Sequence, residues 1–350
     1  MPVPYRERVH ELVSERLDSY HVLYALTREP NRQWAVTPGS YSHSFLRKAY
    51  LPYRDGYIHS NADVWLALEK LDPAVVITTG FSPTFMLAFA WARARGRAHI
   101  PFTDGSLSSE KSLSALHVAF RRLVYARSRA FIGASSHSLE LYRHYGTPEH
   151  ALFRSHLCAD NERYRKFAMA QPEFDVVFCG QLIRRKMPVF FAEVLALVKK
   201  RKRDVRALVL GDGPERGTLL RALHARGIEH HYAGFVAPDE LPAFYARARV
   251  MLFPTIRDPW GVVANEANAA GLPVITSPHA GVAGDLVLHG ENGYVLDLEP
   301  ELWAEHTCHL LSNEQARRTM SERALARVQD FNYAAAAAGI VDAVRHCGVA

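Results

Sequence analysis

The chain has little cysteine. Its four residues, Cys158, Cys179, Cys308 and Cys347, are scattered, with no CxxC pair. This argues against a disulfide framework or a thiolate-held metal and fits reduced thiols in a cytoplasmic protein. Long apolar runs are also missing, since none approaches the ~20 residues that span a bilayer. The N-terminal MPVPYRERVHEL is charged and amphipathic and does not read as a signal peptide. The eighteen histidines form no HExxH. No DxD motif or carboxylate cluster is present to hold a divalent ion, so no metal is expected. There is no internal repeat, and the only compositional bias is the run Ala334–Ala338.

What is present is enough for two domains: 350 residues, 48% hydrophobic and 22% charged. Charge is uneven. Residues 1–170 hold 22 Lys and Arg against 15 Asp and Glu, and residues 171–350 hold 20 against 21. A basic first half suits an anionic partner, with Arg-rich composition as the plain alternative. Arg121, Arg122, Arg127 and Arg129 lie on or just after one predicted helix, and Arg93, Arg95 and Arg97 follow another. They are expected to form a patch facing an anionic membrane surface. The basic run Lys199–Arg203 ends a helix, where the dipole favours cations, and calls for no nucleic acid.

The pattern along the chain alternates strand and helix. An amphipathic helix carries Val9, Leu12, Val13 and Leu17, and a strand is expected over Tyr20–Leu26. Residues 27–59, rich in Pro, Gly, Tyr and Ser, read as loop with short strands. Strands over 74–78, 99–102 and 130–133 then alternate with helices over 62–71, 83–95, 115–125 and 135–145. This implies a parallel sheet with helices on both faces. A charged helix near 161–167 and the segment Gln171-Pro172-Glu173 suggest a domain boundary at residue 170. A second α/β unit follows, with strands over 176–179, 206–210, 231–235 and 250–253. A short helix is expected over 281–288 and a strand over 290–296. Three helices end the chain.

Asp258 to Ser277, DPWGVVANEANAAGLPVITS, is the stretch around which the second unit is built. Asp258-Pro259 forms an opening turn, and Gly261 lets backbone approach a ligand. Val262–Ala270 reads as a helix ended by Gly271 and Pro273, and Val274-Ile275 as a strand. The helix start at Val262 offers unpaired N–H groups and partial positive charge to a phosphate. Glu266, one turn further, can accept two hydrogen bonds from a vicinal diol such as a ribose. Asp258 can hold a second polyhydroxylated group. The set fits a sugar–diphosphate–nucleoside.

Two loops complete the picture. Gly180-Gln181-Leu182-Ile183-Arg184-Arg185-Lys186 follows a strand and precedes a helix, as a diphosphate site requires. Gly211-Asp212-Gly213-Pro214 follows the next strand. It is a weak match to a dinucleotide fingerprint, because no acidic residue follows a strand ~20 residues later.

The long stretch resembles the donor-site signature of family 4 glycosyltransferases of the GT-B fold: a carboxylate, seven residues, Glu, then Ala-x-Ala-x-Gly-x-Pro-Val. Asp258 stands where most relatives carry Glu. Gly180-Gln-Leu-x-x-x-Lys186 resembles the family's Gly-Arg-Leu-x-x-x-Lys, with Gln181 at the Arg position and Arg184 or Arg185 as substitutes for the charge. The resemblance is motif-deep in residues 171–330 and topological in 1–170. It implies an α/β GT-B protein: two facing Rossmann-like domains with parallel sheets and a deep interdomain cleft. Residues 1–170 would be the acceptor side, 171–332 the nucleotide-sugar donor domain, and 333–350 a helix returning to the first domain. In relatives a strand precedes the Pro4-Tyr5-Arg6 position, and here only Met1-Pro2-Val3 does.

The implied reaction is retaining, metal-independent transfer of a hexosyl group from a nucleoside diphosphate sugar to a glycan or lipid-linked acceptor. The protein would work in the cytoplasm or at the inner membrane face. Lys186, Asp258 and Asp104 would be the catalytic group, with Glu110 and Ser82 as lesser acceptor-side candidates. Gly180, Gln181, Arg184, Gly211, Gly213, Phe235, Trp260, Gly261, Val262 and Glu266 would bind the donor. His279 and Gly281 would offer it backbone N–H groups. The alternatives are a sugar-nucleotide epimerase of the same architecture and a non-catalytic sugar-nucleotide-binding paralogue.

Overall fold

A computed structural model describes residues 1–28, 36–53, 56–110, 113–167, 172–201 and 204–348. Gln171 and the end of the 199–203 basic run lie outside them. The chain forms two compact units, residues 1–157 with 333–350 and residues 158–332.

The first unit opens with α1 (Pro4–Ser14), which buries Val9 and Val13 and stops short of Leu17. Strands β1 (His21–Tyr24) and β2 (Ser42–Phe45) pair in parallel, and β3 (Tyr50–Tyr53) and β4 (Gly56–His59) form a hairpin. Then come α2 (Val64–Leu71), β5 (Val75–Thr78), α3 (Pro83–Ala94), β6 (Ala98–Thr103), α4 (Leu107–Glu110), α5 (Ala115–Tyr125), β7 (Phe131–Gly133), α6 (Ser136–His144) and β8 (Leu152–Arg154). Strands β5-β6-β7-β8 make one parallel sheet in sequence order. Local chemistry marks the helix ends. Pro83 occupies the first turn of α3, where its missing N–H costs nothing, and Ser135 caps α6 by accepting from the Ser138 N–H. One apolar cluster gathers Val64, Leu68, Val76, Trp91 and Ala92, and another gathers Phe89, Val124, Tyr125, Phe131 and Tyr142. Burial pushes the His99 imidazole down to about 3, and both ring nitrogens are taken, by Thr78 Oγ1 at 2.9 Å and Ser128 Oγ at 2.8 Å. His99 is therefore a core residue.

The expected arginine patch is smaller than its count suggests. Arg95 pairs with Glu69, Arg97 with Asp72 at 2.7 Å, and Arg121 with Glu110 at 2.9 Å. Glu110 also accepts from Tyr145 Oη at 2.5 Å, and its side chain is nearly covered. It is tied into this network.

The second unit begins at Cys158, ahead of the expected boundary at 170. The short α7 (Asn161–Arg165) packs with the helices of this unit, and Asn161 Nδ2 donates to Val328 O at 2.8 Å. The elements that follow are β9 (Phe174–Cys179), α8 (Pro188–Lys200), β10 (Arg206–Leu210), α9 (Arg216–Ala225), β11 (Glu229–Gly234), α10 (Leu241–Tyr245), β12 (Ala248–Phe253), α11 (Val262–Ala269), β13 (Val274–Thr276), β14 (Gly293–Val295), α12 (Pro300–Ser312) and α13 (Glu314–Arg327). All six strands are parallel, in the order β11-β10-β9-β12-β13-β14. In chain order this is 3-2-1-4-5-6, the arrangement of the dinucleotide-binding fold. Both faces of the sheet are covered, so residues 176–179 of β9 and 250–253 of β12 read as unbroken apolar runs without alternation, and the charged Asp175 and Arg249 stand only near the strand starts. The expected helix over 281–288 is instead a series of turns. Gly284 has φ +78°, and Gly281 lies so close to Pro259 that a Cβ would sit 2.0 Å from its carbonyl oxygen, so the chain cannot coil regularly there.

Helix α14 (Tyr333–His346) returns to the first unit and packs on α1 and β8. Its Gly339 faces the β8 backbone, where an added Cβ would lie 1.7 Å from Arg154 O. Helix propensity alone favours alanine over glycine by about 1 kcal/mol. Overpacking against rigid backbone costs ~1–3 kcal/mol and wins. Gly339→Ala is therefore expected to lower the urea midpoint of unfolding. An unchanged or raised midpoint would show that the backbone approach of α14 is not tight.

Candidate functional site

In an open sheet of order 3-2-1-4-5-6, ligands bind beyond the carboxyl ends of the strands, where the order reverses. Here that point lies between β9 and β12, whose following loops are residues 180–187 and 254–261. The loops are tied together by backbone. Arg185 O accepts from the Ile256 N–H at 3.0 Å and from Thr255 Oγ1 at 3.0 Å, and Thr255 O accepts from Ser277 Oγ at 2.6 Å.

This tie brings Lys186 and Asp258 together from positions far apart in sequence. The Lys186 ammonium donates to Asp258 Oδ2, and both side chains are only 10% exposed. Arg185 Nη1 lies 3.5 Å from the same oxygen and donates to Arg257 O at 3.1 Å. The Lys186 Nζ also stands 4.7 Å above the centre of the Phe253 ring, which adds cation–π attraction. Asp258 is fixed on its other side. Its N–H donates to His279 O at 3.1 Å, its carbonyl accepts from the Gly281 N–H at 2.9 Å, and Oδ1 accepts from the Trp260 N–H at 3.3 Å. The Gly281 N–H is thus spent within the protein and is not offered to a ligand.

Gly261 opens α11 with φ +106°, and a Cβ there would meet the Phe253 ring at 2.4 Å. No L side chain fits either condition, so glycine is required. The Val262 and Val263 N–H groups at the start of α11 have no intrahelical acceptor, whereas the Ala264 N–H donates to Gly261 O at 2.8 Å. Trp260 is different from its expected role. Its side chain is fully buried, donates from Nε1 to Asn265 Oδ1 at 2.7 Å and lies against Phe331, so it is core and cannot line a ligand.

Gly180 and Gly211 end the neighbouring strands back to back. The Gly180 N–H donates to Leu210 O at 3.0 Å, and the Leu182 N–H to Asp212 O at 3.0 Å. Gly213 packs as closely on Leu182. Gln181 is half-buried and Arg184 exposed on the first of these loops. Phe235 follows the outer strand β11 with 44% exposure, a large ring left open to solvent. Asp104, after β6, is exposed and belongs to the first unit.

Glu266 sits one turn into α11. Tyr245 Oη, fully buried on α10, donates to Glu266 Oε2 at 2.8 Å, and Tyr164 of α7 also hydrogen-bonds the carboxyl. The two tyrosine rings meet edge to face at 5.7 Å. Burial pushes the Glu266 carboxyl up to about 7, against the pull of the tyrosines and of the Lys186 charge. Burial likewise pushes the adjacent Cys179 thiol up to about 12, so it is no nucleophile. Tyr245, Tyr164, Phe253 and Arg185 as a partner of Asp258 are absent from the sequence reading. The tyrosines sit on helices of five residues, too short for any periodicity to single them out.

A carboxyl raised on folding binds its proton more tightly in the native state than in the unfolded chain. From this group, stability falls as pH rises from about 4.5 towards about 7 and is constant above. Wild type is therefore expected to lose stability relative to Glu266→Gln between pH 5 and pH 7.5, measured by denaturant melts at each pH. Parallel curves across that range would refute the raised carboxyl.

Residues 160–327 match the family model described as glycosyl transferases group 1. The chain is similar to the D-inositol 3-phosphate glycosyltransferase of Paenarthrobacter aurescens, 25% identical over 242 residues, covering 64% of this chain and 59% of that protein. It is also similar to the GDP-mannose-dependent alpha-(1-6)-phosphatidylinositol monomannoside mannosyltransferase of Mycobacterium tuberculosis, 31% identical over 157 residues, covering 39% of this chain and 40% of that protein. The chain thus spans between about two fifths and three fifths of these relatives. Among solved structures it resembles Anabaena Alr3699/HepE in complex with UDP, with a TM-score of 0.76, 15% identity and coverage of 99% and 97% of the two chains. The sucrose-phosphate synthase of Thermosynechococcus elongatus gives a TM-score of 0.74 at 16% identity, with coverage of 97% and 92%. The chain has the GT-B fold of these structures, with two Rossmann-like units built on parallel sheets, and the group 1 glycosyl transferase match falls within its second unit.

Proposed function

We propose that this protein is a retaining glycosyltransferase of the family 4 type, moving a hexosyl group from a nucleoside diphosphate sugar to a glycan or lipid-linked acceptor without a metal. The observation that carries this reading is the convergence of Lys186, Asp258 and Glu266 at the point where the second sheet reverses its strand order. Glu266 takes the ribose diol, with the carboxylate held on one side by Tyr245. Lys186 and the start of α11 take the diphosphate, and Asp258 orients Lys186 and meets the sugar. Gly180, Gly211 and Gly213 leave the loops low enough for the nucleotide to approach, and Phe235 lies against the base. Asp104 orients the acceptor hydroxyl.

In the transfer the bond from the anomeric carbon to the diphosphate oxygen breaks. The acceptor oxygen bonds to that carbon on the same face, and its proton passes to the departing diphosphate oxygen. Charge grows on the departing diphosphate, so pre-positioned donors that stabilise it lower the barrier. A buried ammonium paired with a carboxylate suits this task because it needs no reorganisation when the charge appears. One of the similar proteins is a phosphatidylinositol monomannoside mannosyltransferase. Together with the basic first half, this favours a lipid-linked acceptor and a peripheral position at the inner membrane face.

The test is turnover with UDP-, GDP-, ADP- and dTDP-sugars, with and without acceptor. Sugar transfer supports the reading. Epimer formation without acceptor, or binding without turnover, overturns it. With the productive donor, Lys186→Ala is expected to lower kcat by roughly 10²–10³, the range for removing one preorganised donor, while donor KM rises less. A near wild-type kcat would remove Lys186 from leaving-group stabilisation. Among the described residues no group of three or more His, Cys, Asp or Glu could hold a metal ion, so activity is expected to persist in excess EDTA. Loss on chelation, restored by Mg²⁺ or Mn²⁺, would refute the metal-independent route.

A further inference from the structure

Glu266 is held by two tyrosines from different elements. Tyr245 ends α10 and Tyr164 lies on α7. Both tyrosines are buried, whereas Glu266 as a residue is only half-buried. Tyr245 Oη donates to Glu266 Oε2 at 2.8 Å and lies 3.4 Å from Val263 O. Tyr164 hydrogen-bonds the same carboxyl, and its ring meets that of Tyr245 edge to face at 5.7 Å. For packing alone a phenylalanine ring would serve, since a buried hydroxyl costs free energy unless it is bonded. Here both hydroxyls converge on one carboxyl. The other titratable groups against it are the Lys186 ammonium, which favours its charge, and the Cys179 thiol, which stays protonated and adds none. The phenols favour the ionised form against burial, so removing one would leave the proton on Glu266 to higher pH. A carboxylate has about four acceptor positions. Two phenols fill two of them and stop the group turning about its last bond. The two that remain match the two O–H groups of a vicinal diol.

We propose that Tyr164 and Tyr245 are positioning residues that hold Glu266 as an oriented acceptor, and that through it they make the second unit select ribonucleoside diphosphates over their 2′-deoxy counterparts. The inference rests on the reading above that Glu266 takes the ribose, and it adds what makes that carboxyl selective. A carboxylate free to turn could satisfy a single hydroxyl by rotating. One fixed by two phenols cannot, and a deoxyribose leaves one of its acceptor positions without a donor. A site built to bond a hydroxyl loses most when that hydroxyl is missing, because a desolvated polar group is then unpaired. Only the ionised carboxyl accepts from two phenols and two ribose hydroxyls at once, so the ribonucleotide binds the charged form.

The test joins a ligand-free and a ligand-bound measurement on the full chain. In denaturant melts, Tyr245→Phe is expected to cost more stability at pH 8 than at pH 5, because the phenol bonds best to the ionised carboxyl. That difference should vanish in a Glu266→Gln background, which has no charge to hold. In calorimetry with UDP, GDP and ADP, wild type should bind the 2′-deoxy form of the preferred nucleotide more weakly by roughly tenfold or more. Tyr245→Phe should weaken the ribonucleotide by roughly tenfold at pH 7 and regain much of the loss at pH 9. Its preference for ribose over deoxyribose should shrink. A structural role alone would lower affinity alike at both pH values and for both sugars. Tyr164→Phe carries the same expectations and decides the question should Tyr245→Phe not fold. A stability cost that is flat with pH, or a variant that keeps wild-type discrimination, overturns the proposal and leaves the ribose reading of Glu266 standing. A pH-dependent cost in a protein that binds none of the three nucleotides, or binds ribose and deoxyribose forms alike, removes Glu266 from the ribose and overturns the selectivity with it.

Discussion

The second unit depends on one buried ion pair and the backbone tie that makes it possible. Removing an ammonium and a carboxylate from water costs several kcal/mol each unless they meet in good geometry with further hydrogen bonds. Lys186 and Asp258 meet that condition because the loops after β9 and β12 are joined at Arg185 O, and because Asp258 is held by Trp260 and His279. The glycine loops after β9 and β10 press together behind the pair, so these strand ends behave as one rigid edge. An anion arriving there would find a cation already desolvated and aimed.

Glu266 works under the opposite constraint. Its surroundings disfavour the charged form, and only the tyrosine donors and the Lys186 ammonium restrain the shift. A ligand donating hydroxyl hydrogen bonds to this carboxyl would favour its ionised form, so binding there would release a proton near neutral pH. The site thus sets the Lys186–Asp258 ion pair beside a carboxyl group whose charge depends on what occupies it.

The first unit spends its charges differently. Three of the seven arginines in the region of α3 and α5 are paired with Glu69, Asp72 and Glu110, so the surplus read from the sequence contracts. Net charge thus overstates a patch whenever acidic partners come from other elements. The histidines make the same point. Desolvation pushes His10 and His99 down to about 3, and they bond Tyr20, Thr78 and Ser128.

Much of the second unit was legible in the sequence. The run Asp258–Ser277 names its own turn, helix, glycine stop and strand, because each signal is local: Gly261 at a positive φ, Gly271 and Pro273 after the helix, Val274 and Ile275 in a covered strand. The central strands declare themselves as apolar runs for the same reason. What only the tertiary structure decided is non-local. That Trp260 turns into the core, that Gly281–Leu288 is turn, that Arg121 is neutralised by Glu110, and that Tyr245 and Tyr164 reach Glu266 all depend on which elements pack together. Residues far apart in sequence meet through the strand order 3-2-1-4-5-6, and no local pattern encodes a meeting between side chains 72 positions apart, as at Lys186 and Asp258.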